Sequence, residues 1–582
     1  MDIYQDENAP VAHRVEDLLG RMSVGQKVGL LFHPMAVFGD PHTNNGVTTS
    51  PSVASMISER SITHFSVLGS SPDGRSFGKW HNQIQRIAAE QPLAIPVTLS
   101  SDPRHSFTDN PLAAALAGPF SQWPEPIGLA AIGSSEVVED FANVARQEYL
   151  AVGIRVALHP QIDLATEPRW CRISGTFGED AELSARLARA YITGFQQSSL
   201  GPHSVATMAK HFPGGGPQKD GEDPHFDYGR EQIYPGDAFA LHLKPFEAAI
   251  AAGGSQIMPY YGMPIGTRYE EVGFAFNRSV ICELLRDSLK FDGIVCTDWG
   301  ILTDSELFGE FVPARAWGVE YLTLDDRILK AFDAGVDQFG GEHCVDAVVR
   351  LVDSGEITMT RLDVSVRRLL LEKFLLGLFD AGFVDEDRAD EIVGSHEFRL
   401  AGLAAQSASV TILTNAVHSA ARLPLSSRIS VYAEGIDETA LRAYAEPASD
   451  PMDAQVAILR VKAPYEPRQR GFERLFHAGS LEFPESEIAR LVAVCRQVPT
   501  IIDVTLDRPA VLGPLVEAAG SLVATYGCSD EALLAVLFGA SQPMGKLPFD
   551  LPSSMAAVVA SRTDVPFDTH APTFRVGHGI RY

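Results

Sequence analysis

The feature that most constrains this chain lies between about Ile62 and Phe339, where short apolar, β-branched runs alternate repeatedly with amphipathic helical stretches. The strand candidates are ITHFSVLG from Ile62, AIPVTLSSD from Ala94, IRVALHPQIDLA from Ile154, SVATMAKHF from Ser204, SQIMPYY from Ser255, GIVCTD from Gly293 and AGVDQFGG from Ala334. Segments such as EVVEDFANVARQEYLAVG and RSVICELLRDSLK lie between them, with apolar residues at helical spacing. Strand and helix in turn imply a parallel sheet. Repetition over this length reads as an α/β fold of the (β/α)₈ TIM-barrel type, placed at residues 1–382. Asp102, Asp163, Lys210, His211, Tyr260 and Asp298 all fall at the C-terminal ends of strand candidates, the rim on which such barrels carry their active sites.

At 582 residues the chain exceeds what one core usually holds. A charged helical stretch, VRRLLLEKFLLGLFDAGFVDEDRADEIV, closes the first region, and a linker is expected at 383–400. The pattern then restarts with SVTILTN, ISVYAEG, AQVAILRV, TIIDVTL and SLVATYG, separated by helical runs including SEIARLVAVCRQ and EALLAVLFG. These predict a second, smaller α/β layer domain over 401–582. The Pro- and Gly-rich end, from PMGKLPFDLP to FRVGHGIRY, reads as a covering segment.

A net charge of -27 argues against nucleic acid as a partner and disfavours anionic membranes and polyanionic substrates. The acidic start, MDIYQDENAPVAHRVEDLL, lacks a basic segment followed by an apolar one, and no run approaches the roughly 18 apolar residues of a membrane helix. A cytoplasmic location is the expectation. Cys171, Cys282, Cys296, Cys344, Cys495 and Cys528 show no C-x-x-C spacing, so neither a zinc site nor a disulfide framework is indicated, and reduced, buried thiols are expected.

Asp298 ends the apolar run of GIVCTDWG beside Trp299, where a carboxylate needs partners or a chemical use. A helix-capping Asp would give the same pattern. KHFPGGG, Lys210 to Gly216, sets a cation and an imidazole at a strand end before a glycine loop that lets backbone approach a ligand. The order is wrong for a phosphate-binding P-loop, in which Lys follows the glycines; a buried, backbone-satisfied His is the competing reading. PRWCRISGTFGED supplies Arg169 and Arg172, of which one could face a ligand while the other anchors the loop with Glu179 and Asp180. DPRH adds Asp102, which could equally start a turn. No G-x-S-x-G or H-E-x-x-H occurs. Carboxylates, Lys, His, Arg and Trp around one barrel mouth suit a neutral, hydroxyl-rich ligand with an apolar face, namely a sugar.

RVEDLL-x-RMS, DPRH, PRW-x-RISGTFGED, KHFPGGG, GIVCTDWG and AVLFGASQPMGKLP, in this order along nearly the whole chain, resemble glycoside hydrolase family 3. The resemblance implies a barrel followed by an α/β sandwich, an active site between them, no metal or organic cofactor, and retaining hydrolysis. By motif, Asp298 resembles the nucleophile. Asp102, Arg172, Lys210, His211 and Tyr260 resemble the residues that hold the terminal sugar, Trp299 part of the aglycone wall, and Glu222 a supporting carboxylate. The acid/base of two-domain relatives is a Glu on a second-domain loop, often in a P-Y-x-E setting. Here Glu466 follows Pro464-Tyr465 directly and is preferred, with Glu473 second; a rim salt bridge of Glu466 to Arg468 or Arg470 competes. The family's N-acetylglucosaminidase branch shares KHFPG-x-G and uses a His on the following loop, where this chain has Asp223 and His225, although Gly215 stands where that branch has a second His. The resulting expectation is an exo-acting β-glucosidase taking a β-glycoside. β-N-acetylglucosaminidase, β-xylosidase and an inactive sugar-binding protein are the alternatives, and a homodimer is compatible with the sequence.

Overall fold

The computed structural model describes residues 2–44, 50–108, 115, 117–307, 309–469 and 471–582. Its first half is a closed ring of parallel strands. The first strand has two pieces, Phe32–His33 and Met35–Val37, and is followed round the ring by His64–Leu68, Thr98–Ser101, Ile154–Ala157, Ala206–Phe212, Gln256–Pro259, Ile294–Val295 and Phe339–Gly340. Phe32 pairs with Phe339, and Cys296 bridges Gln338, so the last strand meets both neighbours and the ring shuts. Seven of these strands are those of the sequence pattern. The eighth escapes it because FHPMAV carries a His and a Pro in an apolar run. Pro34 donates no hydrogen bond and splits the strand, while its carbonyl still accepts from the Ser66 N–H.

Helices wrap the ring in the order expected of β/α units, among them Gly74–Ala89, Ser135–Val152, Ala181–Gln196, Phe239–Ala251 and Leu324–Ala334. Their starts are encoded locally. Asp73, Ser134, Asp180 and Thr323 each accept a hydrogen bond from a backbone N–H of the first turn, satisfying donors that the helix leaves open. Residues 383–400 are largely helical rather than extended: Glu386–Ile392 is capped by Asp385 and packs on the Gly74–Ala89 helix. A Cβ at Gly78 would stand 3.2 Å from Val384, so this close approach depends on glycine.

The second half holds a six-stranded sheet in the order Thr411–Asn415, Ser521–Thr525, Thr500–Thr505, Val456–Lys462, Ser430–Glu434 and Glu446–Ala448, parallel except for the Thr411–Asn415 edge. The short Glu446–Ala448 strand carries no sequence signal. Alternate residues divide this sheet as the two-residue period requires. Val456, Ile458, Ile501 and Val523 pack with Leu533, Leu534 and Leu537 of the Asp530–Leu537 helix. Ala457, Leu459, Ile502 and Val504 join the apolar cluster that continues into the barrel.

The terminal segment is tied to the barrel by polar contacts. Glu179 accepts the Asp550 and Phe567 N–H groups, each at 2.7 Å; Asp564 accepts those of Gly236 and Ala238; and Thr166 Oγ1 donates to the Thr563 carbonyl at 2.6 Å. All six cysteines are unpaired, but only Cys296 and Cys528 are fully buried; the other four are partly exposed, less enclosed than the sequence suggested. Among the described residues no helix is long and apolar enough to cross a membrane.

Candidate active site

The Ala206–Phe212 strand carries Lys210 and His211 to the barrel rim, and Asp163 fixes the turn beyond them. Its Oδ1 accepts the N–H groups of His211 (3.1 Å) and Gly215 (2.5 Å), and its Oδ2 meets His211 Nδ1 at 2.8 Å. A carboxylate facing donors on every side places the imidazole proton on Nδ1 and leaves Nε2 as an acceptor. Burial, with Arg172 nearby, keeps the His211 pKa well below its ordinary value, so the ring is neutral. The glycine loop has a steric cause: a Cβ at Gly215 would come within 2.6 Å of the Tyr260 ring, and one at Gly216 would overlap the Leu164 carbonyl. A histidine at position 215 has no room here.

Lys210 Nζ donates to Asp102 Oδ1 at 2.7 Å, joining two strand ends. Asp298 is 7% exposed; its Oδ1 accepts the Trp299 N–H at 2.8 Å, while Oδ2 is buried, has no hydrogen-bond partner among the described residues and lies 3.9 Å from His211 Nε2. Such a desolvated oxygen is costly in a resting protein, and that cost points to a use. Trp299 rests on His33, with ring centroids 5.4 Å apart, and its carbonyl accepts from Tyr261 Oη (2.7 Å) and Arg315 Nη1 (3.1 Å). Of the two arginines in PRWCR, Arg172 faces this cluster, whereas Arg169 is bound to Glu167 at 2.8 Å.

A cavity of about 320 Å³ gathers Asp102, Arg172, Lys210, His211, Asp298 and Trp299 in its wall. Tyr260 is not in it. That ring packs tilted against His211, with centroids 4.4 Å apart, and its hydroxyl donates to Asp223; Tyr261 reaches the cavity instead. The strand ends at Pro259, so two successive tyrosines leave the inward one undecided from sequence. His225 also lines the cavity. Its Nδ1 is held by Asp223 Oδ1 at 2.6 Å, and Asp223 Oδ2 accepts further from Trp170 and Tyr260. Burial would raise the Asp223 pKa, but His225 and Arg172 outweigh it and hold the carboxyl well below its usual range. Burial also lowers the His225 pKa, with Asp223 opposing.

Glu222, Glu466 and Glu473 stand outside the cavity wall. Glu222 is occupied by Arg468 across the domain boundary at 2.6 Å. Glu466 is exposed, and its Oε1 accepts the Ser480 N–H of its own domain at 3.2 Å. Arg468 therefore pairs with Glu222, not Glu466, and Arg470 lies outside the described residues. Glu473 belongs to the short helix Gly471–Leu475. This loop still closes the site, because Phe472 stacks on Phe226 at 5.1 Å and Phe476 lies 5.2 Å from the His225 ring.

The family model described as "Glycosyl hydrolase family 3 N terminal domain" matches residues 26–371, and "Glycosyl hydrolase family 3 C-terminal domain" matches residues 391–582. The chain belongs to glycoside hydrolase family 3. Similar proteins include "Probable beta-glucosidase C" of Aspergillus oryzae, 50% identical over 100% of this chain and 91% of that protein. "Periplasmic beta-glucosidase/beta-xylosidase" of Dickeya chrysanthemi is 38% identical over 99% of this chain and 91% of that protein. Among solved structures, a β-glucosidase from Erythrobacter marinus superposes with a TM-score of 0.81 at 19% identity, covering 99% of this chain and 84% of that one. One from Listeria innocua, in complex with isofagomine, gives 0.76 at 20% identity, covering 98% and 83%. At such identities these two establish the family 3 fold, a barrel followed by an α/β sandwich.

Proposed function

We propose that this chain is a retaining, exo-acting β-glucosidase that removes a terminal non-reducing β-D-glucosyl unit. The observation that carries the reading is the buried, unpartnered Asp298 Oδ2 in a cavity whose other polar groups suit hydroxyls. The cavity lies at the small end of the ~300–1,000 Å³ range of ligand sites, which suits one sugar with a short aglycone rather than a long oligosaccharide. Full-length identity to β-glucosidases of 50% supports the sugar assignment.

In this reading Lys210 and Arg172 donate to sugar hydroxyls, and Asp102 and His211 Nε2 accept from them. Asp298 Oδ2 attacks the anomeric carbon as the bond to the leaving oxygen breaks, forming a glycosyl ester. That oxygen takes its proton from His225, whose Nδ1 stays on Asp223. His225, now neutral, removes a proton from water as the water attacks the same carbon, and Asp298 departs as carboxylate. Two displacements return the starting anomeric configuration.

His225 is preferred to Glu466 because it is in the cavity wall and Glu466 is not. Glu473 is the second reading, favoured by its place on the loop that packs against His225. A panel of 4-nitrophenyl β-glycosides tests the substrate. Highest kcat/KM is expected on the glucoside, less on the xyloside and little on the N-acetylglucosaminide. A preference for the last, or no turnover of any, would contradict the proposal.

A further inference from the structure

Arg315 is a third cation in the cavity wall, with a different electrostatic setting from Lys210 and Arg172. Lys210 is paired with Asp102, and Arg172 sits in the combined field of Asp163, Asp223 and Asp298. Arg315 is only 6% exposed, and among the described residues its one side-chain hydrogen bond, from Nη1, goes to the Trp299 carbonyl. Its Nε is buried without an acceptor, and among the described residues no carboxylate lies within ion-pairing distance of it. The acids around it are engaged or turned to solvent. Asp304 accepts the Ala314 N–H at 2.8 Å; Glu342 accepts from Leu302, Thr303 and the Thr303 hydroxyl; Glu306 is exposed.

Glu342 feels the charge of Arg315 without touching it, and a guanidinium removed from water with no carboxylate in ion-pair contact is under-compensated, so one in a cavity wall suits an anion supplied by the ligand. Its position specifies which part of the ligand. Arg315 and Tyr261 hold the same carbonyl, that of the residue directly after Asp298, and the guanidinium lies over the Tyr261 and Phe472 rings, 5.3 and 5.9 Å from their centroids. It therefore flanks Trp299, the residue whose motif resembles the family's aglycone wall. The N–H donors left on its Nη atoms suit a carboxylate oxygen, and the Trp299 and Tyr261 faces suit an aromatic ring.

We propose that Arg315 selects aglycones bearing a carboxylate, so that β-glucosides of phenolic acids form a preferred substrate class. This rests on the β-glucosidase reading. The strongly acidic whole molecule disfavours polyanions, but a single carboxylate facing one buried cation is a local interaction.

The test compares kcat/KM for 4-carboxyphenyl and 4-carbamoylphenyl β-D-glucoside on the full chain, as wild type, Arg315→Gln and Arg315→Lys. Intrinsic leaving-group differences cancel when the acid-to-amide ratio is compared between proteins. Arg315→Gln is expected to lower that ratio at least tenfold, about 1.4 kcal/mol, and Arg315→Lys to fall between the two. An unchanged ratio in Arg315→Gln would overturn the proposal, as would a wild type with a higher KM for the acid than for the amide. Calorimetric titration with 4-hydroxybenzoate reads the same site without turnover and keeps the two failures apart. If no glucoside is cleaved, the β-glucosidase reading fails, yet binding weakened tenfold in Arg315→Gln still supports the anion site. Wild type binding 4-hydroxybenzoate no better than 4-hydroxybenzamide contradicts it.

Discussion

Asp298→Ala is expected to lower turnover of aryl β-glucosides by on the order of 10⁴–10⁶-fold, the scale seen when a covalent catalyst loses its nucleophile. Thermal stability should change little, because the loss of the Trp299 N–H bond to Oδ1 is offset by removal of the desolvated Oδ2, which has no hydrogen-bond partner among the described residues. The cavity left by the carboxylate gives azide access to the face from which Asp298 attacks. Added azide should restore part of the turnover and yield the α-glucosyl azide, since one displacement replaces two. A variant within tenfold of wild type, or an azide product of β configuration, would be incompatible with this role.

His225→Ala should produce the second largest effect, graded by the leaving group. General acid catalysis contributes about 10²–10⁴-fold, and its loss falls on alkyl glucosides and disaccharides because a dinitrophenolate departs without protonation. The same residue sets the basic limb of the pH profile. His225 must carry a proton when the glycosidic bond breaks, and burial holds its pKa below the ordinary 6.5. Activity on poor leaving groups should therefore fall as pH rises through a value below that figure, and the limb should disappear in His225→Ala. If His225→Ala keeps both the limb and the wild-type leaving-group dependence, the acid lies elsewhere. A selective defect in Glu473→Gln would then assign it to the second-domain helix, and one in Glu466→Gln to the loop's exposed edge.

Much of the barrel was legible because β/α units repeat one local rule, apolar strand and amphipathic helix in turn. The first strand escaped because closure needs only five residues there, and Pro34 and His33 disguise them; its membership is fixed by Phe339 and Ser66, hundreds and tens of residues away. The rim was legible where a strand ends sharply, as at Asp298 and Lys210. It was not where two residues compete for one direction, as with Tyr260 and Tyr261. Asp163 stood out only as one more strand-end acid, since its three-donor environment comes from the Gly215 turn folding back. Arg315 gave no signal at all: an Arg in PARAWG is normally a surface residue, and only packing beneath Tyr261 and Phe472 makes it a buried cation. Glu466 shows the opposite case: a motif-like spacing singles it out in the sequence, while its side chain lies outside the cavity wall and accepts from Ser480.

The most direct test of the account is covalent trapping with 2,4-dinitrophenyl 2-deoxy-2-fluoro-β-D-glucoside, whose fluorine slows both displacements while the good leaving group preserves formation of the ester. Peptide mapping of the inactivated protein is predicted to place a single fluoroglucosyl label on Asp298. A label on another carboxylate, or time-dependent inactivation without any covalent adduct, would contradict the assignment.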